Sequence, residues 1–144
     1  MAKARLRLDA AVAFIPVAVD FARDFFLAHP FLAERGTLTY ALQLVISEAL
    51  TNVVKHAYDG REGGWMELAL DVEPDRVLLS VLDAGQPFDP ASIPLPDFDN
   101  PQGHGLGFFI IRENTDALEY LSTPQGNELQ LVKRLALDAH DPEA

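Results

Sequence analysis

Apolar and polar positions change rhythm several times along the chain, and each change marks an element. Residues 4–8, ARLRL, alternate with a period of two and predict a strand, its arginines suiting a sheet edge. The rhythm turns helical over residues 15–28, with Phe14, Val17, Ala18, Phe21 and Phe25 on one wide apolar face and Pro30 as the stop. That face reads either as core or as a surface shared between core and a protein partner. A second helix is predicted from Thr37, as its N-cap, to about Tyr58, with Asp59-Gly60 ending it. Residues 65–72 and 76–82 then read as a hairpin around Glu73-Pro74-Asp75, and the Pro- and Asp-rich residues 87–101 as a loop. A short helix over 106–114 precedes two strands, 117–122 and 128–135, that turn at Pro124-Gln125-Gly126. Helices alternating with antiparallel hairpins predict an α+β layered sandwich, with helices on one face of the sheet.

The bulk numbers narrow the class. A chain of 144 residues is expected to form one domain, here 1–137, followed by an acidic tail, 138–144, that frays. It holds no cysteine, which suits a reducing cytoplasm and leaves neither disulfide nor thiolate metal site. No apolar run reaches membrane-spanning length, so no membrane role is expected. A net charge of −11 argues against direct nucleic-acid binding, which needs clustered Lys and Arg. An anionic ligand would then need positive potential supplied locally, by backbone amides or a metal ion.

The second helix carries the first candidate chemistry. Glu48, Asn52 and His56 recur every four residues and stack an acid, an amide and an imidazole on one face. The acid can take a proton, the amide oxygen can meet a hard cation, and the imidazole can hold the end of a site. A wet helix face would show the same spacing. At 100° per residue Lys55 and Thr51 fall on the same side, while Ile46, Ala49, Leu50, Val53 and Ala57 cluster opposite. Ala41, Leu44 and Val45 break the polar arc, so either another element covers them or the stripe lines a pocket with an apolar floor.

Two glycine-bearing segments fit a pocket. The strand over 76–82 runs into Asp83-Ala84-Gly85-Gln86-Pro87-Phe88-Asp89, where a carboxylate at a strand end precedes a glycine that lets backbone approach a flat ligand. A plain glycine turn is the simpler alternative. Gly103-His104-Gly105-Leu106-Gly107 leads directly into the apolar helix start Phe108–Ile111, leaving unpaired N–H groups suited to phosphate. It does not match the dinucleotide fingerprint, because no strand feeds it directly.

In this order and at these distances the three segments resemble a known set. SEALTNVVKHAYDG, DAGQPFDP and GHGLGFFII are similar to the three nucleotide motifs of the Bergerat-fold, histidine-kinase-like ATPases, and most similar to those of the bacterial anti-sigma factor serine/threonine kinases. The closing stretch GNELQLVKRL also sits where that family has its last strand, and the likeness runs from Leu6 to Leu135. The resemblance implies a two-layer α/β sandwich on a mixed, mostly antiparallel sheet, with ATP and Mg²⁺ as cofactors. It implies Asn52 as the metal ligand, Asp83 as acceptor for the adenine amino group, and Gly85 as the close approach to the ring. Gly103, Gly105 and Gly107 would cradle the phosphates, with His104, Leu106 and Phe88 beside the nucleotide. Glu48 would be the catalytic base on a serine or threonine hydroxyl. His56 is placed either near the phosphates or in a bond to the following loop, and Lys55 either at a phosphate or in solvent. The partners implied are a sigma factor and an anti-anti-sigma (antagonist) protein, and relatives suggest a homodimer.

Two departures stand out. The stretch Asp97–Gly103 carries no basic residue where some members have a lid arginine, and the last turn has Asn127 and Glu128 where threonines are common. A non-catalytic, ATP-dependent partner-binding switch therefore stays open beside the kinase. A detached histidine-kinase ATP domain is the remaining alternative, but no helical hairpin bearing a phospho-accepting histidine is evident.

Overall fold

The computed structural model describes residues 1–92, 99 and 106–135. Five strands, β1 (Ala2–Asp9), β2 (Trp65–Val72), β3 (Arg76–Asp83), β4 (Ala117–Thr123) and β5 (Gly126–Arg134), form one sheet in the order β1-β2-β3-β5-β4. Every pairing among the described residues is antiparallel, in keeping with the mostly antiparallel sheet expected. The helices are α1 (Ile15–Leu27), α2 (Pro30–Ala33), α3 (Gly36–Asn52) and α4 (Leu106–Glu113).

The period-two patterning decides which face each strand residue takes. Leu6, Leu68, Val81 and Leu129 lie in adjacent register on the face that meets the helices, and the last three are buried. On the other face β1 shows Lys3, Arg5 and Arg7. As expected, β1 is a sheet edge. Its arginines do more than deter edge pairing: both ion-pair with Glu67 on β2, at 2.8 and 3.1 Å, and the Arg7 guanidinium sits 3.9 Å over the Trp65 ring.

The helical layer differs from the sequence reading in three places. In α1 the buried line is Ile15, Ala18, Ala22 and Phe26, while Phe14 and Val17 stay exposed. Of the expected face Ala18 is buried and Phe21 and Phe25 pack half-buried against the core, so the face holds over three of its five residues and Phe14 and Val17 fall outside it. The N-cap of α3 is Arg35 rather than Thr37, and it makes no side-chain cap; its guanidinium instead bonds Phe31 O and covers the Phe31 ring. Thr37 falls inside the helix because α2, unforeseen, ends the preceding chain at Ala33. Finally, the second helix changes pitch before it stops: residues Val53–Ala57 form a π turn, with Tyr58 N–H bonding Val53 O. Asp59 and Gly60 then take positive φ, 53° and 72°, and the helix ends there as expected.

The apolar interruption of the polar arc is explained by cover. Val45 is fully buried where α1 and α4 pack on α3, whereas Ala41 and Leu44 are half-buried. Among the described residues no helix is long and apolar enough to cross a membrane.

Candidate functional site

The polar stripe survives over two of its three members. Glu48 and Asn52 lie on the regular part of α3, both partly buried. The wider π turn beginning at Val53 shifts everything after it around the axis. His56 and Lys55 are consequently exposed, and neither makes a hydrogen bond among the described residues. Of the two places open to His56, the bond to the following loop is not formed among the described residues. The HAY ending is held by its tyrosine instead: the Tyr58 hydroxyl donates to Trp65 O at 2.6 Å and accepts from Ala84 N–H at 2.9 Å. One side chain thus ties the helix end to the start of β2 and the end of β3.

At the other side of the stripe stands α4. Gly107 lies so close to α3 that a Cβ on it would fall 2.5 Å from Glu48 Oε2 and 3.9 Å from Asn52 Oδ1. Glu48, Asn52 and the first turn of α4 therefore converge on one spot, and only glycine leaves the acid its place. Of the glycine loop, Gly103, His104 and Gly105 lie outside the described residues, as do residues 136–144; Leu106 and Gly107 open α4.

The second motif docks on the π turn. Gln86 N–H donates to Ala57 O at 2.7 Å, and a Cβ at Gly85 would meet that carbonyl oxygen at 2.5 Å. Asp83, at the end of β3, is buried with a relative exposure of 3%. Its Oδ1 accepts two bonds, from Gly85 N–H at 2.8 Å and from the Asn127 amide at 2.8 Å. Its Oδ2 has no partner among the described residues, and since no fully buried side-chain polar atom there lacks one, Oδ2 keeps some exposure to solvent. Burial raises the Asp83 carboxyl above its ordinary pKa, while the bonds from Asn127 and Gly85 pull the other way. Phe88 packs edge-on against Phe108, with ring centroids 6.0 Å apart, and tilted on Tyr120 at 4.6 Å, joining this motif to α4 and β4. The Tyr120 hydroxyl is raised in pKa, chiefly by burial, with the Phe88 N–H bond opposing and the Asp83 charge adding to the rise.

Three participants escaped the sequence reading. Asn127 was noted only as standing where threonine is common, yet its amide bonds Asp83 and Gly85 O. Ser122 donates to Asn127 Oδ1 at 2.8 Å. Tyr58 was read as the end of a helix. None of them has a local signal, since each acts across strands or on another element; the register of β3, β5 and β4 would have placed Asp83, Asn127 and Ser122 in one row.

The site offers an accessible buried carboxylate oxygen at one end and an acid with an amide oxygen at the other. Among the described residues no group of three His, Cys, Asp or Glu could hold a metal. A hard cation here would rest on Asn52 and on oxygens of its ligand or water, the pattern magnesium prefers.

The sequence profile of the histidine kinase-like ATPase domain matches residues 8–133. A serine-protein kinase RsbW from Halalkalibacterium halodurans is 34% identical over 140 residues, covering 88% of this chain and 84% of that protein. An anti-sigma F factor from Clostridium beijerinckii is 29% identical over 98 residues, covering 63% of this chain and 66% of the factor. Among solved structures, one of RsbU and RsbW domains from Mycobacterium tuberculosis superposes with a TM-score of 0.61 at 20% identity, over 93% of this chain and 32% of that one, a likeness of fold.

Proposed function

The chain belongs to the histidine kinase-like ATPase family, and from that premise we propose that it is an ATP-dependent serine/threonine kinase of the anti-sigma type. It binds ATP with Mg²⁺ and phosphorylates a serine or threonine of an antagonist protein, in a cytoplasmic partner switch that controls a sigma factor. Relatives named as a serine-protein kinase and as an anti-sigma factor support this reading. The observation that carries it is the convergence of Glu48, Asn52 and Gly107 on one spot.

The residues divide the work as follows. Asp83 Oδ2 accepts a hydrogen bond from the adenine amino group, and Gly85 keeps the backbone low enough for the ring to lie close. Backbone amides at the start of α4, at Leu106 and Gly107, face the phosphates at the positive end of that helix. Asn52 Oδ1 is the hard oxygen ligand for Mg²⁺, which offsets the triphosphate charge. Glu48 takes the proton of the incoming hydroxyl. That oxygen forms the new bond to the terminal phosphorus while the bond to the bridging oxygen breaks and ADP leaves. Lys55 and His56 are solvated side chains in this scheme rather than ligands. Phe88 serves by packing the second motif onto α4 and β4.

Incubation with labelled ATP, Mg²⁺ and candidate antagonist proteins tests the reading, with Glu48→Gln as the control. Transfer by the wild type, abolished in Glu48→Gln while ATP affinity stays within about twofold, is expected because the amide keeps the shape but cannot take a proton. Tight ATP binding by the wild type with no phosphorylated product for any antagonist would replace the kinase with an occupancy switch.

A further inference from the structure

The row Asp83, Asn127, Ser122 runs straight across β3, β5 and β4. Its bonds form a directed chain. The Ser122 hydroxyl donates to Asn127 Oδ1 at 2.8 Å, and Asn127 Nδ2 donates to Asp83 Oδ1 at 2.8 Å and to Gly85 O at 2.9 Å. Asn127 is 4% exposed, so its amide has no water to fall back on. Only one orientation satisfies it: flipped, the amide oxygen would face two acceptors, the Asp83 carboxylate and the Gly85 carbonyl. Both its N–H bonds are therefore committed by these two acceptors, and the Ser122 hydroxyl, free to rotate, adds a donor to the oxygen they leave.

The consequence lies in what remains. Oδ1 of Asp83 accepts from Gly85 and Asn127, Gly85 O accepts from Asn127, and Oδ2 is the carboxylate oxygen with no bond among the described residues. We infer that Asn127, braced by Ser122, is the positioning residue for base recognition: it holds the Asp83 carboxylate by Oδ1 so that Oδ2 faces the base, selecting a purine with a 6-amino group. A 6-oxo purine would set a lone pair against Oδ2, and a purine with hydrogen at position 6 would leave that charged oxygen without a donor. Without Asn127 the carboxylate can turn about its own axis, Gly85 O loses its donor, and the site discriminates less. The inference rests on the reading of Asp83 as the base acceptor.

Calorimetry on the full chain with Mg²⁺ separates the two. Dissociation constants are measured for ATP and for purine riboside triphosphate, which lacks the 6-amino group. In the wild type ATP should bind at least about tenfold tighter, the worth of one hydrogen bond to a charged group. Equal binding of the two ligands by the wild type would overturn the Asp83 reading itself, and the role of Asn127 with it. Asn127→Ala should bring the ratio to within about threefold by weakening ATP, with the 6-hydrogen analogue little changed. Asn127→Thr, which retains a donor, should recover most of the wild-type ratio. A loss shared equally by both ligands in Asn127→Ala, or a ratio unchanged from wild type, would overturn the positioning role while leaving the Asp83 reading in place. Ser122 is exposed, so Ser122→Ala tests the same chain in a variant with an intact core: it should lower the ratio in the same direction by a smaller factor, and an unaltered ratio would refute Ser122 as a brace for Asn127.

Discussion

Asp83 is costly to the folded protein, and on the proposed reading that cost serves the base. It sits at the end of a core-facing row, and burial holds its carboxyl above the ordinary pKa despite two hydrogen bonds. Below the ordinary carboxylate value it is protonated in both folded and unfolded chains, and its contribution to stability is then at its best. As the pH rises through the raised folded value the unfolded chain ionises more easily, and that contribution is lost. Asp83→Asn should therefore raise the melting temperature of the nucleotide-free protein at neutral pH, and the gain should vanish as the pH falls through the carboxylate range. A melting temperature for Asp83→Asn no higher than wild type at neutral pH would contradict this. The same variant presents an amide donor where the base amino group needs an acceptor, so ATP affinity should fall by at least about tenfold. Little of this residue-scale account was legible in the sequence. Asp83 and Gly85 announced themselves because they are adjacent in a motif, whereas Asn127 lies 44 positions from Asp83 and is joined to it by strand register.

The element that shapes the site is the pair α3 and α4. A sequence read at a uniform 100° per residue places Glu48, Asn52 and His56 on one line, and the α-helical part obeys. The π turn does not, because each of its hydrogen bonds spans one residue more, and nothing in Val53-Val54-Lys55-His56-Ala57 announces the change of pitch. Strands fared better, since alternation maps directly onto faces: the β2–β3 hairpin stands where its two apolar runs and the Glu73-Pro74-Asp75 turn put it. α4 owes its place to Gly107. A methyl group there meets the mobile tip of the Glu48 side chain rather than backbone, so Gly107→Ala should displace the carboxylate without unfolding the chain. We expect phosphoryl transfer to fall roughly a hundredfold, the effect of an ångström-scale misplacement of a reacting group. The melting temperature should move by no more than a few degrees. Transfer at the wild-type rate would mean that Glu48 acts from a position clear of α4.

For the whole molecule the governing quantity is charge. The chain carries −11 and is asked to bind a polyanion, while the two cationic-type side chains nearest the stripe, Lys55 and His56, point to solvent. Attraction must then come from the amides at the start of α4 and from the metal, whereas the summed field of the protein repels metal-free ATP. The repulsion acts over a Debye length of about 10 Å at 0.1 M salt and lengthens as salt is removed. Metal-free ATP should accordingly bind more weakly at low ionic strength than at moderate ionic strength, opposite to the behaviour of a basic phosphate site. Mg²⁺ should tighten binding most where salt is lowest. Asn52→Ala should erase this gain selectively: affinity in Mg²⁺ falls at least about tenfold, as even outer-sphere losses do at metal sites, while affinity in chelator matches the wild type. Titrations across salt and metal concentrations read both effects together. Metal-free ATP that binds tighter as salt is lowered would reveal a locally positive pocket, and equal Mg²⁺ dependence in wild type and Asn52→Ala would remove Asn52 from the metal.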